Sequence, residues 1–316
     1  MNPTTTAVHY PQILQNLSIR HKNGEFIGDM IAPVIPVSFA SDYYYEFSKA
    51  DDLRDTADYR APGTSSNRDG FTLSQTQYSC KEIAQSTQLE DETKANADAI
   101  LNLEMAKTRF VTNKIMLKHE VLTESKLMTT GNWTSSNTPT IKWNNYDSSD
   151  PLTDLRTAFT TIKGYCPYGA NTMVLGYDVW ECMKYHPVLV GRLSNDTTRI
   201  LTIDNLKYMF GVDKVLIGMA SKNTSRRGVT ASYSDIWTKD IWIGYVNPTP
   251  GIEEPSALYT FSWDYSNSRN NEPMGIRGVR KWRDENIHSW IIEAYQSLDQ
   301  KITGADYGYV LEAVID

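Results

Sequence analysis

The sequence predicts an α+β fold, and three observations carry that prediction. A segment of about 33 residues from Asn96 to Met128 holds neither Pro nor Gly and repeats apolar residues at helical spacing. The stretch from about 150 to 220 alternates strand and short-helix patterns, and from 236 onward the pattern is β to the end of the chain. With 316 residues, 40% of them hydrophobic, there is material for one large or two modest domains.

Residues 1–48 read as an extended arm, because Pro3, Pro11, Pro33 and Pro36 interrupt any helix. Within it, IGDMIAPVIPV (27–37) is apolar but too proline-broken for a helix or a central strand, and is expected to lie as a strap on another surface. From Lys49 to Phe71 almost nothing could enter a core. Between Asp51 and Asp69 stand five Asp and three Arg, with only Leu53 and Tyr59 as sizeable apolar side chains. A structureless excursion of this length is uncommon in a compact domain and is usually functional or disordered. YYYEF (43–47) before it and residues 71–89 after it are expected to be the legs of one long β-hairpin.

The long periodic segment repeats Ala97, Leu101, Val111, Ile115 and Leu122, flanked by Ile100, Phe110, Met116 and Val121. As one helix it would span about 50 Å. A polar connector (129–150) holding Trp133 and Trp143 follows. Asp150 then caps a helix with Pro151 at its first position, which Gly164 is expected to end. TMVLGYDV (172–179) is a buried strand turning into the helix VWECMKY, a cap at Asp204 starts a helix closed by Gly211, and 212–220 is again strand. IWTKDIWIGYV, ALYTFSW, HSWIIEAYQSLDQKI and YGYVLEAVID supply the closing strands.

The charge, 31 basic against 38 acidic residues for a net −7, argues against tight, sequence-independent DNA binding and leaves open a surface that tolerates nucleic acid nearby without gripping it. Cys80, Cys166 and Cys182 form no Cys-x-x-Cys pair, so no disulfide framework or zinc ribbon is indicated. The N-terminus lacks the pattern of a signal peptide, and no apolar run is long enough for a membrane helix. The Asn-x-Ser/Thr triplets at Asn16, Asn132, Asn195 and Asn223 are therefore read as chance matches.

Phosphate-loop, nucleophile-elbow and His-Glu-x-x-His motifs are absent, and His9, His21, His119, His186 and His288 are scattered. Cys182 and His186 share a helical spacing, but a third ligand is missing and Pro187 follows, so a buried Cys beside a half-exposed His is expected. RKWRDE (280–285) with Arg277, and the pair Arg226 and Arg227, read as a solvated strand end or subunit salt bridges before phosphate contacts. Trp237, Trp242, Trp282 and Trp290 read as core or interface residues before stacking platforms. No catalytic, cofactor-binding or metal-ligating residue is assigned, and the chain is not expected to be an enzyme.

The order of parts resembles the major capsid proteins of tailed bacteriophages with the HK97 fold. Ile27-Gly28, Ala32-Pro33-x-x-Pro36-Val37, the run Phe210-Gly211-Val212-x-x-Val215-Leu216-Ile217-Gly218, and Val279-x-x-Trp282 leading into the closing strands all look like that family. The resemblance implies an N-terminal arm (1–48), an extended loop (49–89) reaching over a neighbouring subunit, and a peripheral domain with a spine helix (90–149). It also implies an axial domain (150–255) and closing strands (256–316), the last rejoining the axial domain. Its implied function is self-assembly into an icosahedral shell around double-stranded DNA. The implied partners are other copies in hexamers and pentamers, a portal protein, a separate scaffolding protein, a decoration protein and packaged DNA held by weak contact, without a membrane. The place is the virion, with assembly in the host cytoplasm.

Two departures from the family pattern have consequences. Some relatives carry a long cleaved N-terminal scaffolding segment, whereas here the arm begins at once, so a separate scaffolding protein or none is expected. Some join a loop lysine to a neighbour's asparagine, but lysine is absent from Ala50 to Ser79, so no such cross-link is expected from the hairpin tip. An encapsulin, a compartment of the same fold that encloses a cargo enzyme, is the close alternative. A soluble α/β enzyme or carbohydrate-binding module is the distant one.

Overall fold

The computed structural model describes residues 23–24, 26–96, 102–193, 200–251, 253–263 and 277–316. In chain order the elements are α1 (Gly28–Ile31), β1 (Val34–Val37), β2 (Ser41–Phe47), α2 (Lys49–Asp52), β3 (Leu73–Ser79), β4 (Lys81–Glu90), α3 (Asp91–Ala95) and α4 (Leu103–Leu127). Then come β5 (Ser135–Asn137), α5 (Pro151–Tyr165), β6 (Thr172–Gly176), α6 (Tyr177–Lys184), α7 (Pro187–Val190), α8 (Ile203–Phe210) and β7 (Lys214–Gly218). The chain closes with β8 (Ser221–Asn223), β9 (Tyr233–Asp235), β10 (Ile241–Gly244), β11 (Leu258–Trp263), β12 (Gly278–Asp284), β13 (Ser289–Ile302) and β14 (Gly308–Leu311).

Two five-stranded sheets organise the chain. In the first, β1, β11, β13 and β12 lie side by side in that order and β4 also pairs with β13, the 14-residue strand at its centre. In the second the order is β5-β14-β10-β6-β7. The second sheet mixes parallel pairs (β6 with β7, β14 with β5) with antiparallel ones. Its strands β6, β10 and β14 are buried throughout, because α5 and α6 bring Leu155, Ile162, Val179 and Met183 against Met173, Leu175, Ile241 and Ile243. Trp143 of the polar connector is completely buried in the same core, and its indole N–H donates to Asp154 at 2.9 Å. A second cluster around Ile31, Leu127, Trp237, Trp242 and Leu258 joins residues of both sheets.

Several expectations are corrected. The strap at 27–37 is one helical turn plus β1, and it lies on its own chain: Ile27, Ile31 and Ala32 are buried, and β1 pairs in parallel with β11 at the sheet edge. Pro36 is tolerated there because an edge strand leaves one side of its backbone unpaired. The hairpin is shorter than expected. Its ladder runs Ser41↔Ser79 to Phe47↔Leu73, and beyond Cys80 the chain turns into β4, which pairs with β13 instead. The long helix starts later, at Leu103, where Asn102 accepts a hydrogen bond from Met105 N; Ala97, Ile100 and Leu101 lie outside the described residues. Its 25 residues rise about 37 Å.

The cap at Asp150 with Pro151 stands as expected, but α5 continues through Gly164 to Tyr165. The second of the two helices expected from caps is started by Thr202 and not Asp204, with Asn205 N donating to the Thr202 hydroxyl. Gly211 closes that helix at φ 66°, a left-handed conformation that glycine adopts without a Cβ penalty.

Candidate inter-subunit surface and its buried anchor

Alternation along a strand gives the β2–β3 hairpin two faces. One packs inward: Tyr44 and Tyr78 stack on Phe261 of β11 with centroids 5.3 and 4.8 Å away, and Ser79 N donates to Asp299 of β13 at 2.9 Å. Burial, reinforced by the Glu46 carboxylate, pushes the Tyr44 hydroxyl well above its ordinary pKa. The other face carries Tyr43, Tyr45, Phe47 and Leu73, with Phe71 resting 5.6 Å from Phe47. All five are exposed, Tyr45 at 60% and Phe71 at 62%. Adjoining aromatic side chains left to solvent on a ribbon suit an interface with another molecule, since they bury much area with little entropy to lose.

Beyond this face the chain makes one turn, α2, and then a coil from 53 to 72 held by sparse polar contacts. Asp51 accepts from the backbone N–H and hydroxyl of Thr72, which holds its carboxyl below the usual range, and Asn67 Nδ2 donates to the Thr56 carbonyl at 3.0 Å. Tyr59 stands fully in solvent at the far end. The base of the hairpin is tied down by Lys49, whose ammonium meets Asp306 at 2.9 Å and lies 5.6 and 6.0 Å from the rings of Tyr165 and Tyr307. Burial opposes ionisation of Asp306, but the Thr134 hydroxyl and Lys49 together hold its carboxyl below its ordinary value.

A buried polar node anchors the arm. Glu120, 1% exposed, accepts from Ile27 N at 3.1 Å, Gly28 N at 2.8 Å and the Trp237 indole at 2.7 Å, so one carboxylate gathers the arm, α4 and the loop before β10. Burial raises its pKa against those three donors. Beside it, His119 Nε2 faces Gln300 Nε2 at 3.3 Å and His119 Nδ1 faces Asp29 at 3.6 Å, with Arg277 on Asp29 at 2.8 Å. Desolvation lowers the His119 pKa to about 4, although Asp29 pulls the other way. Gly28 permits the approach: a Cβ there would stand 2.9 Å from Glu120 Oε2.

Sequence reasoning missed this node because it followed apolar residues only. The buried row of α4 is Val111, Ile115, His119, Thr123 and Leu127, each four apart, and two polar residues inside an apolar row were the available signal.

No family model matches the sequence. The chain is 24% identical to the major capsid protein of Burkholderia phage BcepMu, an alignment that covers 96% of this chain and 95% of that one. Among solved structures, a phage-related protein from Bordetella bronchiseptica RB50 superposes with a TM-score of 0.70 at 26% identity, covering 93% of each chain. The capsid of cyanophage P-SCSP1u gives 0.60 at 9% identity, over 93% of this chain and 90% of that one. The chain has the HK97 capsid fold. An encapsulin from Synechococcus elongatus shares the fold more distantly, with a TM-score of 0.52 at 8% identity over 98% and 96% of the two chains.

Within the HK97 fold the residues weighed from sequence take structural places. His186 is completely buried, a correction to the half-exposed reading: its Nδ1 accepts from Val188 N and caps α7, so Nε2 carries the proton toward the Ser149 hydroxyl at 2.9 Å. Desolvation lowers its pKa and raises that of the buried Cys182. Arg280 and Arg283 make ion pairs within the chain, with Glu293 and Glu82 and with Asp91 and Glu285. Trp237 and Trp242 are core, whereas Trp282 and Trp290 lie under the cations of Arg280 and Lys281 at 5.7 and 4.5 Å. Arg226 and Arg227 sit exposed between β8 and β9. Among the described residues no group of three metal-ligating side chains converges. His9 and His21, with residues 1–22 of the expected arm, lie outside the described residues.

Proposed function

We propose that this chain is a major capsid protein whose copies assemble into the closed shell of a tailed phage. The observation that carries the reading is the hairpin: a ribbon anchored to the first sheet by Tyr44 and Tyr78 whose opposite face, Tyr43, Tyr45, Phe47, Phe71 and Leu73, is left exposed by the described residues of its own chain. The near end-to-end match to a phage major capsid protein supports it. On this reading the first sheet with α4 is the peripheral domain, the second sheet is the axial domain, and the hairpin is the extended loop that laps a neighbouring copy. Rings of five and six copies follow from heterologous contacts that close by rotation. Double-stranded DNA, a portal, a separate scaffolding protein and a decoration protein are the partners this role would call for, and the virion is its place. The role is mechanical and assigns no catalytic residue.

The test is to purify the full-length chain and image it by electron microscopy. Closed particles support the proposal, and a persistent small species overturns it. The nucleic-acid content of the particles, together with the genes beside this one, separates a phage shell from an encapsulin holding a cargo enzyme.

A further inference from the structure

The first sheet has two unlike faces. Along β13, Ile292, Ala294 and Gln300 point to α4, where they meet Val111, Ile115 and Thr123. Glu293 and Asp299, at odd positions, point to the opposite face, which receives the hairpin. On that opposite face the cations Arg280 and Lys301 are paired: Arg280 with Glu82 at 3.6 Å and with Glu293, and Lys301 with Asp299 at 3.4 Å.

The α4 side differs. Lys107, Lys114 and Lys118 are seven and four residues apart, which puts them within about 40° of one another around the helix and spreads them over about 16 Å of its length. Lys114 and Lys118 are exposed and Lys107 is half-buried. The Lys107 ammonium donates to the Gln88 carbonyl, and that of Lys114 lies 5.6 Å from the Phe110 ring. Among the described residues none of the three forms an ion pair, and the acids of α4 are engaged elsewhere. Glu104 pairs with Lys281 at 2.5 Å, Glu120 is in the buried node, and burial raises the pKa of Glu124. In a chain of net charge −7, a cationic row flanking the buried row of α4, with no ion pair among the described residues, is against the trend.

We propose that Lys107, Lys114 and Lys118 form a phosphate-contact row for the enclosed duplex, and that the α4 side of the first sheet is the inner wall of the shell. The inference rests on the shell reading above and says which surface meets the contents. Duplex DNA carries one negative charge per ~1.7 Å of axis, so a row this long meets several phosphates without reading sequence. Three cations per subunit give contacts that are weak singly and salt-dependent, suited to holding a polymer that must also leave.

Amine-acylation footprinting of DNA-filled particles, against the same particles after DNA release, tests the row without any substitution. The expected result is several-fold slower acylation of Lys114 and Lys118 in filled particles, with Lys301 on the opposite face unchanged. Equal rates at Lys114 and Lys118 in particles that do form would overturn the row and leave the shell reading standing. If the chain forms no particle at all, both fall together.

Discussion

Glu120 shows how much one side chain can be asked to hold. Its carboxylate is the shared acceptor for two backbone N–H groups of the arm and one indole, all in a site without access to water. Replacing it with Ala leaves those donors buried and unpaired, a loss on the order of 3 kcal/mol or more, since each orphaned buried group costs about 1–3 kcal/mol. The expected outcome for Glu120→Ala is a lower urea midpoint, with fast hydrogen exchange at Ile27 and Gly28. Slow exchange there in a folded variant would show that the arm is held by something else.

His119 gives the node a pH dependence whose sign can be worked out. Its folded pKa of about 4 lies below its ordinary 6.5, so between those values the unfolded chain binds a proton that the folded chain refuses. Stability therefore falls as pH drops from about 6.5 toward about 4, and the contribution is whole only above that window. Glu120, whose pKa burial raises, opposes this: the folded chain takes up its proton first, so its own effect favours folding as pH falls. Asp29 and Arg277 face His119 from α1 and from the start of β12, and their mutual pair holds the local charge balance. His119→Gln is expected to flatten the stability profile across that window, read from denaturation midpoints at a series of pH values. An unchanged slope would place the titration elsewhere.

At the scale of elements, the hairpin and the long helix separate what sequence can say from what it cannot. Asp150 and Pro151 marked the start of α5 because capping chemistry is local, and the alternation in 172–220 foretold β6, α6 and β7 for the same reason. The end of the hairpin was illegible because β3 and β4 are one continuous strand-like text, and only the choice of partner divides them at Cys80. The exposed aromatic face of β2 was hidden too, since Tyr43, Tyr44 and Tyr45 look alike until register sends Tyr44 inward. The polar node was legible only as His119 and Thr123 interrupting an apolar row, and its partners, ninety or more residues away in sequence, were not legible at all.

Lys49 is the element-scale test. Its pair with Asp306 is about one-third exposed on both sides, so solvent screens it and its net worth is ~0–1 kcal/mol. Lys49→Met is expected to leave the unfolding midpoint almost unchanged while speeding proteolysis within 53–72, because the clamp sets the hairpin's direction and adds little stability. A large midpoint shift with unchanged proteolysis would contradict that division. Because Lys49 is engaged and the tip has no amine, particles are also expected to dissociate to single chains on denaturing gels. A ladder of covalent multimers, with Lys49 or Lys81 joined to an asparagine in mass spectra, would refute this.

Across the whole molecule, the two sheets carry buried cores of ordinary kind, while the hairpin spends its aromatic residues on a face that none of the described residues covers. That distribution makes sense for a subunit completed by its neighbours, where many modest contacts sum around closed rings. Charge placed in the middle of the face should then block assembly and spare folding. Tyr45→Glu with Phe47→Glu is expected to give a folded chain with a normal urea midpoint that no longer forms particles.

The most direct measurement is the size of the purified, full-length chain in solution, by light scattering and electron microscopy on one sample. The account predicts closed shells of many megadaltons with the hairpin of each copy lying on the next. A stable, monodisperse species near the 35.9 kDa of one chain, with Tyr45 and Phe47 still open to solvent, would contradict it.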